Sequence, residues 1–357
     1  MKKLTVYQLL SLALPVQILL VKIISYFPEL IEHYYSNGLF PYISVFFRTI
    51  YGWIPFSIGD ISYAIISVGF IIFSYRFIKN KLKNRKQQFF KLVAYLSLFY
   101  FIFHLFWGLN YYRTSLFKTL NIEEKEYTLN ELIILTDTLL LKLKQTQLVL
   151  VTNDTVKVTI PYSRKALLNK TKLGYDMLAK EYPQYHYTKP SLKPSLFSLP
   201  LTYMGFAGYF NPLSSEAQVD ILAPKINLPM TCSHELAHQL GFASESETNF
   251  IGFLAATKHK DAYFKYSGYL MAIRYSIGSI RYKDSTLAKK YFLKLPKGIH
   301  KNIKESDEFW KSYHNQAEPY FKFFYDNYLK ANQQKEGIQS YSKMVNLLIA
   351  YQKEHEL

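Results

Sequence analysis

The chain has 357 residues and carries 43 Lys and Arg against 26 Asp and Glu, a formal net charge of +17. That length allows one large domain or two units. A basic balance points to nucleic acid, an anionic membrane surface or an acidic substrate; no nucleic-acid module is recognisable, and a basic membrane-associated protein is the better reading. The single cysteine, Cys232, excludes an internal disulfide and a multi-cysteine zinc ribbon.

Residues 4–27 form the first apolar run, after Lys2 and Lys3, interrupted by Gln8, Gln17 and Lys22. About 20 largely apolar residues cross a bilayer. No small-residue cleavage site follows, so the run reads as an uncleaved anchor rather than a signal peptide. A second run covers 58–78, with Asp60 near its start, and a third covers 89–111, with His104 inside it. A histidine within a span is a functional candidate, and in a helix bundle it is more often a hydrogen-bonded interior residue. From the end of the second run to the start of the third come Arg76, Lys79, Lys81, Lys83, Arg85, Lys86 and Lys91, whereas residues 28–57 hold Arg48 as their only cation. The positive-inside rule then places the N-terminus and the basic loop in the cytoplasm and everything after Tyr112 outside it. The expectation is a three-helix transmembrane domain over residues 1–112 in the inner membrane of a bacterium. An extracytoplasmic, periplasmic domain would follow over residues 113–357.

Residues 129–146 show helical spacing of leucines and isoleucines. Residues 148–151 and 156–160 read as short strands, and 164–181 as another helix. Pro183, Pro190 and Pro194 mark an extended passage. Residues 195–222 are strand- and turn-rich, and the chain from Pro229 onward reads mostly as helices, with a short packed helix over 341–351. The fold class expected is α+β, mostly helical.

Within that region stands Cys-Ser-His234-Glu235-Leu-Ala-His238-Gln-Leu-Gly241. Positions four apart share one face of a helix, so His234 and His238 can direct their rings at one zinc ion. Glu235 sits on the neighbouring edge, in reach of a water but not as a ligand, as in the H-E-x-x-H arrangement with a glutamate base. Thr231 or Ser233 can cap the helix start, and Gly241 can close its end. Cys232 points off the ligand face and reads as a small buried residue.

A catalytic zinc usually has three protein ligands, and two carboxylates follow, Glu245 and Glu247. Ser244 with Glu247 fits a capping box, which would give Glu247 a structural role. That favours Glu245 as the third ligand. Asn249, one turn on from Glu245, can then hydrogen-bond a ligand histidine from behind.

H-E-x-x-H followed by Glu and a polar residue four positions later resembles the gluzincin class of zinc metallopeptidases. In that class the later Glu is the third ligand and the residue four on, usually Asp, orients a histidine. Here Asn249 replaces that Asp, and six residues separate His238 from Glu245 where gluzincins have more. Gly241 resembles the tight turn of metzincins, but their third histidine would fall at Ser244. The apolar spans, Phe-Trp-Gly-Leu-Asn-Tyr-Tyr-Arg (106–113), residues 208–220, 232–239 and 245–250 together resemble a bacterial membrane family known as a domain of unknown function with a suspected peptidase relationship. The resemblance implies a zincin-like metallopeptidase domain behind the membrane anchor, acting on a peptide or protein.

Residues 203–222 could hold an extended substrate by β-augmentation, or form a core hairpin. Tyr209, Tyr341, His259 and Arg274 are candidates for stabilising a developing oxyanion. The rival readings are an intramembrane protease, a membrane-tethered metal-binding or assembly protein without catalysis, and a multi-span carrier. The polar flanks of the His-Glu segment disfavour the first, and the length of the chain after residue 112 disfavours the last.

Overall fold

The computed structural model describes residues 4–79, 85–332, 334 and 341–357. Helix α1 (Val6–Ile24) begins at a capping box in which Thr5 and Gln8 bond reciprocally. Residues 28–57, expected to be a loop, fold instead into a short turn at Pro28–Leu30, a π-helical stretch Ile31–Leu39 and helix α2 (Phe40–Tyr51). Phe40, Ser44 and Arg48, four apart, form the buried stripe of α2. Helices α3 (Ile58–Lys79) and α4 (Arg85–Phe106) follow. Among the described residues three helices, α1, α3 and α4, are long and apolar enough to cross a membrane. The third ends at Phe106, and residues Gly108–Tyr112 form a 3-10 turn rather than the end of the span.

Helix α5 (Leu129–Leu150) also starts at a capping box, Thr128 with Glu131. It buries Leu132, Leu135, Leu139 and Leu143 and absorbs most of the residues expected to be a strand at 148–151. Residues 156–160 form no strand either. The side chain of Asn302 accepts from the Val158 amide at 3.0 Å and donates to its carbonyl at 2.9 Å, so these backbone groups are satisfied without a neighbouring strand. The helix expected over 164–181 is two, Arg164–Lys170 and Lys172–Leu178.

The single sheet has three short strands, β1 (Leu192–Pro194), β2 (Gly208–Asn211) and β3 (Glu216–Val219), in the order β1-β3-β2 among the described residues. β1 runs parallel to β3 and β2 antiparallel, with Tyr209 opposite Gln218. Helices α6 (Leu228–Gln239), α7 (Glu245–Lys258) and α8 (Ala262–Lys283) pack behind it. Next come Lys297–Ser312, α9 (Glu318–Ala331) and α10 (Tyr341–Gln352). The core is aromatic: Phe250, Phe253, Phe264, Tyr266 and Tyr351 are all fully buried in it. α10 packs into this core through Val345, Leu347 and Leu348.

The apolar helices and the rest of the chain share buried polar contacts. Ser44 Oγ donates to the Gln239 carbonyl at 3.0 Å. Arg48 donates to the Thr188 carbonyl at 2.6 Å and lies over the Tyr187 ring. Asp60 is fully buried, accepting from the Leu196 amide at 2.7 Å, from Ser195 Oγ at 3.1 Å and from the Tyr209 hydroxyl. The Gly59 amide donates to Glu216, which also pairs with buried Lys193. The one acid near the start of the second span therefore anchors α3 to the sheet.

Candidate metal centre

α6 presents His234 and His238 on one face and ends in a Schellman turn. The Gly241 amide bonds the His238 carbonyl at 2.9 Å and the Phe242 amide bonds the Ala237 carbonyl at 3.3 Å. Gly241 has φ of 89°, a left-handed conformation that glycine adopts without strain. Arg113 donates to the Gly241 carbonyl at 2.9 Å, pairs with Glu32 at 2.6 Å and covers the Phe242 ring. The start of α6 differs from expectation. It is residue 227, without a side-chain cap, with Pro229 in the first turn, so Thr231 and Ser233 lie inside the helix.

The turn after Gly241 delivers Glu245 as the first residue of α7. Its carboxylate straddles the two rings: Oε2 lies 3.3 Å from His234 Nε2 and Oε1 3.7 Å from His238 Nε2. The ligand atoms of His234, His238 and Glu245 all lie within 4.8 Å of one another. Each histidine is oriented from behind. His234 Nδ1 meets Asn249 Oδ1 at 2.9 Å, and His238 Nδ1 meets the Phe242 carbonyl at 2.7 Å. A carbonyl only accepts, so His238 Nδ1 carries the proton and the Nε2 lone pair faces the gap, as a metal ligand requires.

Electrostatics follow from this packing. Burial alone would raise the Glu245 carboxyl, but the two histidines outweigh it and hold it down at about 2. Burial lowers His234, and the facing Glu245 and Glu235 reverse this, lifting it to about 9. Burial dominates at His238 and lowers it to about 4. Glu235 is 3% exposed, and its Oε2 has no hydrogen-bond partner. Burial pushes its carboxyl up to about 8. A buried Glu235 oxygen without a partner, beside three converging ligand atoms, fits a site that a divalent cation would complete.

Glu247 lies elsewhere. Its Oε1 accepts from the Leu116 amide at 2.6 Å, and it bonds neither histidine. The capping box expected for it is absent, since Ser244 Oγ meets Ser246 Oγ instead. Glu247 ties α7 to the segment after the third span, and it is Asn249 that meets a candidate ligand histidine.

The site opens on a cleft of about 960 Å³ that also admits Trp107, Tyr111, Gly208, Tyr325 and Tyr328. The Tyr325 hydroxyl donates to Glu245 Oε1 at 2.8 Å, and the Trp107 indole stands edge-on to His238 at 5.8 Å. Of the four oxyanion candidates, Tyr209 lines the cleft with its hydroxyl turned to Asp60. His259 bonds the Lys170 carbonyl and stacks on Phe264, and Arg274 pairs with Asp307, so neither lines it. The side chain of Tyr341 lies outside the described residues. Cys232 is buried, and His104 bonds the Tyr100 carbonyl one turn back in its own helix without lining the cleft. Tyr325 and Tyr328 escaped sequence reading, and Trp107 and Tyr111 entered it only within the segment 106–113, not as site residues. Among 32 tyrosines, no spacing marks those that fold back on the site.

Residues 203–222 contain a hairpin at the cleft. Gly205 to Phe210 line it, and the outer edge of β2 pairs with no strand among the described residues. A Cβ at Gly208 would lie 2.6 Å from Glu235 Oε1, so only glycine lets this edge pass the carboxylate.

Residues 35–349 match the family model described as protein of unknown function DUF3810, and the chain belongs to that family. No curated protein and no solved structure matches it.

Proposed function

We propose that the protein is a membrane-anchored, zinc-dependent hydrolase with a zincin-like domain, cleaving peptide bonds outside the cytoplasm. The observation that carries this reading is the buried Glu235 carboxylate, one oxygen of it without a partner, beside the converging His234, His238 and Glu245. Zinc held by these three would supply Lewis acidity and lower the pKa of water towards ~7.

The chain's own residues do the rest. Glu235 takes a proton from the attacking water and passes it to the leaving amine. Burial raises its carboxyl above the ordinary value, and a bound cation beside it would draw it back down, towards the range where it can do both. Asn249 and the Phe242 carbonyl hold the two rings in place. Burial keeps the Tyr328 hydroxyl protonated, and with Tyr111 donating to it, Tyr328 can donate to developing negative charge in the cleft. The unpaired edge of β2 is placed to hold an extended substrate by main-chain bonds. The basic loop between α3 and α4 supports a cytoplasmic N-terminus and a periplasmic site in a bacterial inner membrane.

The test is peptide hydrolysis by zinc-loaded protein and its Glu235→Gln variant. The variant should bind zinc like the wild type and lose about 10²–10⁴ in kcat. Equal turnover by the two proteins would contradict the reading.

A further inference from the structure

We infer that the substrate is acylated, and that the part of the cleft bounded by the apolar helices seats its acyl chain beside the scissile bond. This rests on the hydrolase reading above and names its substrate class. The same cleft that holds His234 and Glu245 is walled by Tyr63 of α3 and by Phe99 and Phe103 of α4. These belong to helices long and apolar enough to cross a membrane, so one cavity joins the metal centre to the level of the bilayer. Apart from the histidines, Glu235 and Glu245, the only charged lining residue among the described residues is Lys322, and it is paired with Glu318. Nothing in that wall would compensate a charged side chain, whereas an apolar chain gains from every methylene buried there.

Size argues against a helical occupant. A two-turn piece of helix, about 10–12 Å across, would by itself take roughly the whole cavity, which is about 960 Å³ including the space around the ligands. A single extended chain fits. Access from the bilayer is consistent with α9, whose Tyr325 and Tyr328 line the cleft. Tyr320, Phe323 and Phe324 of the same helix are 69%, 63% and 69% exposed. An aromatic face of this kind, with Lys330 beside it, suits the lipid–water boundary.

The experiment uses the full chain in lipid nanodiscs, loaded with Co²⁺, whose visible spectrum reports ligands at the metal. Hexadecanohydroxamate is titrated beside acetohydroxamate. The long chain should bind about tenfold or more tightly, beyond its partition into empty discs. Phe103→Ser, and independently Met204→Trp, at a cleft-lining position outside the spans, should bring the long-chain affinity down toward that of acetohydroxamate. Phe101→Ser, at an exposed position that does not line the cleft, should leave the advantage intact. Equal affinities of the two hydroxamates, or an advantage untouched by both cleft variants, would overturn the inference and leave the metal centre standing. A diazirine-bearing palmitoyl peptide is also photolysed with metal-free protein. Labelling concentrated at Phe103 and Met204 over Phe101 supports the acyl site even if cobalt fails to bind, a result that would count against the hydrolase reading alone. Labelling no stronger in the cleft than at Phe101 would overturn the acyl site.

Discussion

Tyr325 donates its hydroxyl proton to Glu245 across 2.8 Å, tying a helix 80 residues downstream to the third candidate ligand. The bond fixes which way the Glu245 carboxylate turns, while α7 begins at that same residue and its helix dipole favours the negative charge. Partners that orient ligands typically cost 10–100-fold in metal affinity when removed. Tyr325→Phe and Asn249→Ala should each weaken zinc binding by about tenfold or more in competition with a chromophoric chelator. Unchanged affinity in both would show that neither contact orients a ligand.

Glu247 separates stability from metal binding. Its carboxylate accepts the Leu116 amide, so Glu247→Ala should destabilise the protein by about 1–3 kcal/mol in denaturant unfolding. Zinc stoichiometry should stay at the wild-type level. A loss of zinc with full stability would reverse the roles assigned to Glu245 and Glu247.

The pH dependence of the metal-free protein should carry the mark of Glu235. Burial raises its carboxyl from an ordinary 4.5 to about 8. A raised acid favours the folded state fully while protonated, below about pH 4.5, and that contribution is lost as pH climbs through 8. Metal-free Glu235→Gln and wild type should therefore unfold alike at pH 4, and the variant should be the more stable at pH 8. A wild type that stays level with the variant across this window would mean that the carboxylate is solvated.

Asp60 should matter to the join between the apolar helices and the sheet. Asp60→Ala leaves the Leu196 amide, Ser195 and the Tyr209 hydroxyl without their acceptor in a fully buried place. We expect several kcal/mol of destabilisation, about 1–3 kcal/mol for each group left unpaired, read as earlier thermal unfolding. Asp60→Asn, which keeps an acceptor, should recover part of it.

Much of the site was legible because it is local. His234, Glu235 and His238 follow from helical spacing, and Glu245 and Asn249 from the turn-and-helix that starts four residues after Gly241. Runs of apolar residues revealed the three long helices because length and composition suffice there. What stayed hidden depends on distant packing. The alternation at 156–160 is met by a single Asn302 side chain instead of a strand, and Ser244–Glu247 satisfied a capping pattern while Leu116 captured the carboxylate. The segment 28–57 reads only as the loop between two spans, with Arg48 as its one cation, yet its Phe40, Ser44 and Arg48 stripe finds partners near the end of α6 and in the chain before β1. Asp60 stood out as an acid in an apolar run, and its reason became visible only with Tyr209 and Leu196 beside it.

The most direct measurement of the central claim is the metal content of purified full-length protein beside Glu245→Ala and Glu247→Ala. The account predicts one zinc per wild-type chain, retained by Glu247→Ala and depleted in Glu245→Ala. A wild type without stoichiometric metal, or a Glu245→Ala variant that holds it as firmly, would contradict it.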